Sequence, residues 1–101
     1  MIHNIEFTFE DPHNAQPFVI MLMQSGITDL TMKTSDNDGS CRVTYEVDEC
    51  NIDPDEAIKQ DLEFIKENDL NAITYRWFYY DNSNSTGPYI LYSRKHFGGT
   101  Y

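Results

Sequence analysis

Residues 41–69 read CRVTYEVDECNIDPDEAIKQDLEFIKEND. The first eight of these residues alternate apolar and polar side chains, which is typical of a strand with one buried face. Asp53 is of the residue type that caps helix N-termini, Pro54 suits the first helical position, and Glu56 completes a capping box. The stretch therefore predicts a strand followed by a helix that ends near Asp69.

The predicted helix is amphipathic, with one residue that breaks the pattern. At 100° per residue, one arc of the helix is apolar and contains Ala57, Ile58, Leu62, Phe64 and Ile65. Asp61 falls inside this arc, where an unpaired buried carboxylate would cost several kcal/mol. Two explanations are open. In the first, the helix overhangs the sheet edge, so that Asp61 reaches water or pairs with a basic residue such as Arg42 or Arg76. In the second, Asp61 lines a cleft that faces a partner or ligand.

The segments before residue 41 predict a strand, a helix and the first half of a hairpin. Residues 2–10 alternate like a half-buried strand. A helix is predicted from Asn14, as N-cap, to Ser25, with Pro17 in its first turn and Gly26 as its stop. The apolar run FVIMLM at residues 18–23 leaves a buried strand as the alternative. Residues 27–34 predict the next strand, which the turn cluster SDNDGS at residues 35–40 joins to the strand at 41–48.

The last part of the chain predicts two aromatic-rich strands, Ala72 to Tyr80 and Tyr89 to Phe97, joined by a polar loop over residues 82–88. The element order is then β-α-β-β-α-β-β. Its first six elements match a ferredoxin-like α+β sandwich, in which two helices cover one face of an antiparallel sheet. We expect one domain over residues 1–97, an extra C-terminal strand, and a flexible tail over residues 98–101.

The charge of the chain restricts its partners. Seventeen acidic and seven basic residues give a formal net charge of −10. Binding to nucleic acid or to an anionic membrane depends on neutralising phosphate, so this charge opposes both and favours a basic protein. The longest apolar run is too short to span a bilayer, and no secretory signal is recognisable. We expect a cytoplasmic protein with Cys41 and Cys50 reduced, because an extended segment holds them far apart.

The sequence contains no convincing catalytic or cofactor motif. Residues 34–45 resemble a calcium loop only at Asp36, Asp38 and Gly39, because Thr34 and Tyr45 occupy the positions of two essential carboxylates. The three histidines have no ligand spacing, and neither cysteine has a neighbouring base. We therefore predict no metal, no cofactor and no enzymatic activity.

The strongest local signal is acidic. Residues 46–69 contain ten acidic residues against two lysines. A ridge of carboxylates can compete for the basic groove of a nucleic-acid-binding protein, and exposed aromatic side chains next to it would add buried contact area. A merely solvated acidic helix is the plain alternative. The residues assigned to the partner-binding surface are Glu46, Asp48, Glu49, Asp55, Glu56, Asp61, Glu63, Glu67, Tyr75, Trp77 and Tyr79.

The succession of an acidic helix (53–69) and an aromatic strand with Trp77 resembles the acidic regulators of bacterial ribonuclease and toxin-immunity proteins of similar topology. No specific motif is shared, so no residue roles are transferred. A single-strand RNA platform is a weaker hypothesis, because the strand at 41–46 lacks the aromatic signature of such platforms.

The sequence predicts a small non-catalytic inhibitor that binds a basic, nucleic-acid-acting protein such as a nuclease. Viral anti-defence proteins and toxin-immunity proteins belong to this class. Two alternatives stay open. One is a small ligand-binding or enzymatic ferredoxin-like domain. The other is a homodimeric structural module in which Phe18–Met23 packs against its copy.

Overall fold

A computed structural model describes residues 2–80 and 88–92, with side chains for residues 2–77. These residues form seven elements: β1 (Ile2–Phe9), α1 (Pro12–Gln24), β2 (Leu30–Thr34), β3 (Cys41–Asp48), α2 (Pro54–Glu67), β4 (Ala72–Tyr80) and β5 (Pro88–Tyr92). The loop predicted at residues 82–88 falls outside the described residues except for Pro88, which begins β5. The predicted end of the last strand (93–97) and the predicted tail (98–101) also fall outside them.

The five strands form one antiparallel sheet in the order β2-β3-β1-β4-β5. Without β5, the order β2-β3-β1-β4 and the two helices are those of the ferredoxin-like α+β fold, which confirms the predicted fold class. β5 adds the predicted extra strand beside β4. β1 lies at the centre and pairs with β3 on one side and β4 on the other.

The core lies between the sheet and the two helices. Alternate residues of β1 (Ile5, Phe7 and Phe9) are fully buried, and Phe18 of α1 packs on Phe7 at a ring-centroid distance of 5.0 Å. α2 contributes Ile58 and Ile65 to the same core. Burial of each such side chain contributes roughly 1.5–3 kcal/mol relative to exposure. Neither of the two described helices covers the opposite face of the sheet, which we call the open face.

α1 begins earlier than predicted. Its N-cap is Asp11, whose carboxylate accepts a hydrogen bond from the Asn14 backbone N–H at 2.9 Å. The prediction of Asn14 as N-cap is therefore wrong. Pro12 occupies the start of the helix, and Pro17 lies inside the helix rather than in its first turn. The Asn14 side chain has another role, because its Oδ1 accepts from the backbone N–H of Asn71 at 3.0 Å.

Both helices end in the same way, with a left-handed residue directly after the C-cap. Gly26 (φ +92°) follows α1, and the N–H of Ile27 returns to the carbonyl of Leu22 at 3.0 Å. Asp69 (φ +53°) follows α2, with an equivalent bond from Leu70 to Ile65 at 3.0 Å. Such bonds satisfy carbonyls that the last helical turn would leave unpaired.

The predicted hairpin is confirmed in its turn and its second strand. The backbone N–H of Ser35 donates to the carbonyl of Ser40 at 2.8 Å, and Gly39 in the turn has a φ of +78°. β2 begins at Leu30, three residues after the predicted start at Ile27. Cys41 is buried at the start of β3 and Cys50 is exposed beyond its end, and they form no disulfide.

Candidate protein-binding surface

The outward side of α2 carries an acidic face, which we define as Asp55, Glu56, Glu63 and Glu67. All four side chains are exposed, because the opposite side of the helix faces the core. The exposed Lys59 forms the one ion pair with this face among the described residues, at 3.8 Å from Glu56. Both side chains of that pair are well exposed, so the ion pair contributes little to stability. It leaves the acidic face accessible to a partner.

The acids that precede α2 lie on other surfaces. Glu46 and Asp48 pair across the sheet with Asn4 and Ile2, and they belong to the open face. The predicted single ridge is therefore divided between the two layers of the sandwich. The carboxylate of Asp48 accepts a hydrogen bond from the Cys50 backbone N–H at 3.0 Å, and this bond holds its pKa below the usual range.

Asp61 is buried, with 4% of its surface exposed, and its carboxylate accepts a hydrogen bond from the hydroxyl of Tyr45. Burial raises the pKa of Asp61 to about 7. The same burial, together with the neighbouring carboxylate, raises the pKa of the Tyr45 hydroxyl. The expectation that Asp61 reaches water or pairs with Arg42 or Arg76 is wrong, and so is its expected place on an accessible surface. The partner is a tyrosine on β3 that local pattern did not single out.

Two of the three predicted contact aromatics are also buried. Tyr75 is 6% exposed and Trp77 9% exposed, because both point to the core side of the sheet. The expectation that these two rings lie on the surface is wrong. The backbone of Tyr79 is in β4, and its side chain falls outside the described residues.

Trp77 takes part in a hydrogen-bonded chain that connects the core to the surface. Its indole N–H donates to Nδ1 of His3 at 2.9 Å, and His3 Nε2 lies 2.7 Å from a carboxylate oxygen of Glu49. Because Nδ1 accepts, the imidazole proton is on Nε2 and is donated to Glu49. This bond is the main reason that the pKa of Glu49 is lowered, so the exposed Glu49 stays ionised.

The centre of the open face holds a polar cluster that no local sequence pattern indicates. Glu6 is only 7% exposed, and it accepts two hydrogen bonds from Arg76, at 2.8 Å from Nε and 3.0 Å from Nη2. Thr44 donates to the same carboxylate at 3.4 Å, and Nε of Arg42 lies 3.7 Å from it. The strand register explains the cluster, because Glu6 is directly opposite Thr44 on one side and Arg76 on the other.

Two concave regions lie on the surface of the described residues. One, of about 300 Å³, lies at the end of the sheet between Ile2, Asp29 and Glu46. The other, of about 530 Å³, lies between the helices, and we call it the α1–α2 groove (lined by Pro17, Ile20, Met21, Phe64 and Leu70 among others). Neither resembles the enclosed, mostly apolar pocket with convergent polar groups that is typical of small-ligand sites.

Removal of metal ions should leave the protein unaffected. In residues 2–77 no group of three or more His, Cys, Asp or Glu side chains is arranged to hold a metal ion. We therefore expect an excess of EDTA to leave the thermal unfolding midpoint unchanged, since a structural metal would couple directly to folding. The check is a pair of thermal melts followed by far-UV circular dichroism, and a drop of several degrees would contradict the prediction.

Comparison with known proteins returned no match among family models, curated proteins or solved structures. Within the described part of the chain, neither helix combines the length and the apolar character that a bilayer span requires.

Proposed function

We propose that this protein is a non-catalytic inhibitor that binds the basic surface of a nucleic-acid-acting protein. The observation that carries the proposal is the acidic face of α2. Four carboxylates project from one rigid helix, whose other side is fixed to the core by Ile58 and Ile65. A basic groove that normally holds phosphates presents complementary charge to such a face.

The charge on the rest of the molecule also favours a basic partner. The net charge of −10 creates a field that attracts a basic protein from a distance. Asp48 and Glu49 have lowered pKa values, so both stay ionised well below neutral pH. They add negative charge at the end of the sheet from which the chain enters α2.

The open face argues against direct binding of nucleic acid. Arg76 and Arg42 are two of the three basic residues on the described part of this face, and both are directed to the carboxylate of Glu6. A nucleic acid would have to compete with that carboxylate for the guanidinium groups. The third, Lys33, is a single charge on the edge strand β2, so the described part of this face is a poor phosphate surface.

An inhibitor of this kind fits the protein classes that depend on acidic surfaces. Immunity proteins that block a toxic nuclease and viral anti-defence proteins that mimic nucleic acid are examples. Inhibitors of this type work by association alone, without a catalytic residue or cofactor. Electrostatic steering would make association fast, and the exposed carboxylates would determine the orientation of docking.

The test is capture of partners on the immobilised chain and on a charge-reversed variant. We expect Glu63→Lys/Glu67→Lys to lose the captured proteins, because it replaces two negative charges of the acidic face by positive ones. Lysine near the C-terminus of α2 complements the helix dipole, so the variant should stay folded. Extracts of the native host are treated with nuclease before capture, and captured proteins are identified by mass spectrometry and then purified. Adding the wild-type chain should displace nucleic acid from the purified partner.

The matched control is Glu10→Lys/Asp36→Lys, which makes the same change in net charge at exposed positions outside the acidic face. It should retain the partner. The association rate of wild type should also fall several-fold between about 50 and 300 mM salt, because screening shortens the range of steering. Equal losses in both variants, a salt-insensitive rate, or a partner that keeps its nucleic acid would each overturn the proposal.

A further inference from the structure

α1 has an unusual composition for a helix of this acidic molecule. Its sequence, PHNAQPFVIMLMQ, contains no Asp, Glu, Lys or Arg, in a chain in which 24% of the residues are charged. Only Ala15, Phe18 and Leu22 are buried in the core. The outward side of α1 is therefore uncharged and partly apolar.

Two large apolar residues on that outward side are exposed. Ile20 is 48% exposed and Met23 61% exposed. Ile20 also lines the α1–α2 groove, together with the half-buried Met21 and Phe64. Amide side chains such as Gln16 and Gln24 border the groove, and Asp69 is the single charged residue among those that line it. The surface thus has an apolar centre and a polar rim with one charged residue, and an apolar centre with a polar rim is the usual anatomy of a protein interface.

We infer that this surface binds a second copy of the same chain. Two molecules that each carry a net charge of −10 repel one another over most of their surfaces. Repulsion is smallest where few carboxylates face each other. Of the two described helices, α1 has no charged residue, and Asp69 is the single carboxylate that lines the groove beside it. A basic partner would instead be drawn to the acidic face of α2, so the uncharged surface suits a copy better than it suits that partner.

The arrangement of the surface also fits two-fold symmetry. A two-fold interface uses the same patch on both copies, so each patch must contain both a protruding group and a recess for it. Met23 lies beside the α1–α2 groove, because Ile20, which lines the groove, is three residues away and is therefore its neighbour on the outward surface of α1. In the dimer, Met23 of each copy enters the groove of the other. Phe18 and Leu22 take no part, because they already belong to the core of their own chain.

The salt dependence of this dimer has the opposite sign to that of the inhibitory complex. Screening weakens the repulsion between two acidic copies, so added salt should strengthen the dimer. Screening weakens the attraction between the acidic face and a basic partner, so added salt should weaken that complex. The two associations can therefore succeed or fail independently.

The experiment is sedimentation equilibrium of the purified full chain at low and high salt. Protein concentrations from about 5 to about 500 µM cover the dissociation constant of a weak dimer. We expect a monomer–dimer equilibrium that shifts toward dimer as NaCl rises from about 50 to about 500 mM. Ile20→Glu should weaken the dimer about tenfold or more, because it places a carboxylate in the apolar centre of the interface. Thr31→Glu adds the same charge at an exposed position on the open face of the sheet and should leave the dimer intact.

A second variant guards against a folding defect in the first. Met23→Gln keeps the length of a highly exposed side chain and should also weaken the dimer, while far-UV circular dichroism stays native. A chain that is monomeric under all conditions would overturn the inference and would leave the groove to a helix of another protein. A dimer that survives both variants, or that weakens with salt, would place the interface elsewhere and overturn it as well.

Discussion

Between about pH 4.5 and pH 8, the unfolding free energy of the wild-type protein should fall by about 3 kcal/mol more than that of the Asp61→Asn variant. The pKa of Asp61 is raised from 3.8 to about 7 because its carboxyl group is buried. In the unfolded chain the group regains its ordinary pKa. The native state therefore holds a proton that the unfolded state releases, and this proton binding stabilises the native state.

The sign of the effect follows from the direction of that shift. Below pH 3.8 both states are protonated and the contribution of Asp61 is complete. As the pH rises from 3.8 to about 7, the unfolded state gains stability by ionising, and the contribution is lost. The amide that the Asp61→Asn variant carries cannot ionise, although it can still accept a hydrogen bond from Tyr45. A difference in unfolding free energy that is the same at every pH does not affect the test. The readout is how the difference between the two proteins changes with pH.

The measurement is urea unfolding of both proteins at a series of pH values. Asp11, Asp38, Asp48 and Glu49 have lowered pKa values and contribute stability that is lost in acid, which is the opposite sign. They are present in both proteins and cancel in the difference. Parallel stability curves for wild type and variant would show that Asp61 titrates normally, and the buried pair would then have to be reconsidered.

A double-mutant cycle tests the hydrogen bond itself. Asp61→Leu removes the acceptor of a buried hydroxyl, and Tyr45→Phe removes the donor to a buried carboxyl group. Each single change should cost about 1–3 kcal/mol, because it leaves one buried polar group without its partner. The double variant removes both groups and should recover much of the loss. Strictly additive losses would show that the two side chains do not interact.

Replacing Glu6 by Gln should lower the unfolding free energy by about 2–3 kcal/mol, the second large effect. The carboxylate accepts two charge-assisted hydrogen bonds from Arg76 while it is 7% exposed. The amide of Gln keeps one acceptor oxygen and places an N–H₂ group where the second oxygen faced the guanidinium. One of the two bonds is lost and the local charge balance is removed.

The control for Glu6 is Glu46→Gln, on the same face of the sheet. Glu46 is exposed and has no ion pair with a described residue, so its replacement should change stability by less than about 0.5 kcal/mol. Both variants lose one negative charge, and the comparison separates the contact from the charge. Arg42→Ala should also cost little, since this side chain is 60% exposed and lies 3.7 Å from Glu6. Equal effects of the two glutamate variants would contradict the role assigned to Glu6.

The fold was predictable because local signals agree with one another. The alternation in 41–48, the Asp53-Pro54 helix start and the turn at 35–40 each depend on neighbouring residues only, and each element formed as predicted. The start of α1 was less determined, because Asp11 and Asn14 are both good capping residues three positions apart. The choice of Asp11 leaves the Asn14 side chain available for Asn71, a contact between segments that are distant in sequence.

The buried polar contacts were not predictable, because each of them joins residues that are distant in sequence. Asp61 was recognised as an exception to its helix pattern, but its partner Tyr45 belongs to β3 and looked like an ordinary core residue. Trp77 was expected on the surface, because alternation along a strand identifies two faces without stating which one is covered. Its contact with His3 depends on the pairing of β1 with β4, which the sequence alone does not reveal.

The central position of β1 has a consequence for the order of folding. β1 precedes both of its neighbours in the chain, because β3 and β4 begin only at residues 41 and 72. One backbone edge of β1 therefore remains unpaired until residues 41–48 have been synthesised, and the other until residues 72–80 have been synthesised. The pairing with β4 closes a long loop, which slows folding. Until then the side chains of Ile5, Phe7 and Phe9 are exposed apolar surface, which favours aggregation. The negative charge that suits a basic partner in the native state also keeps unfinished chains apart.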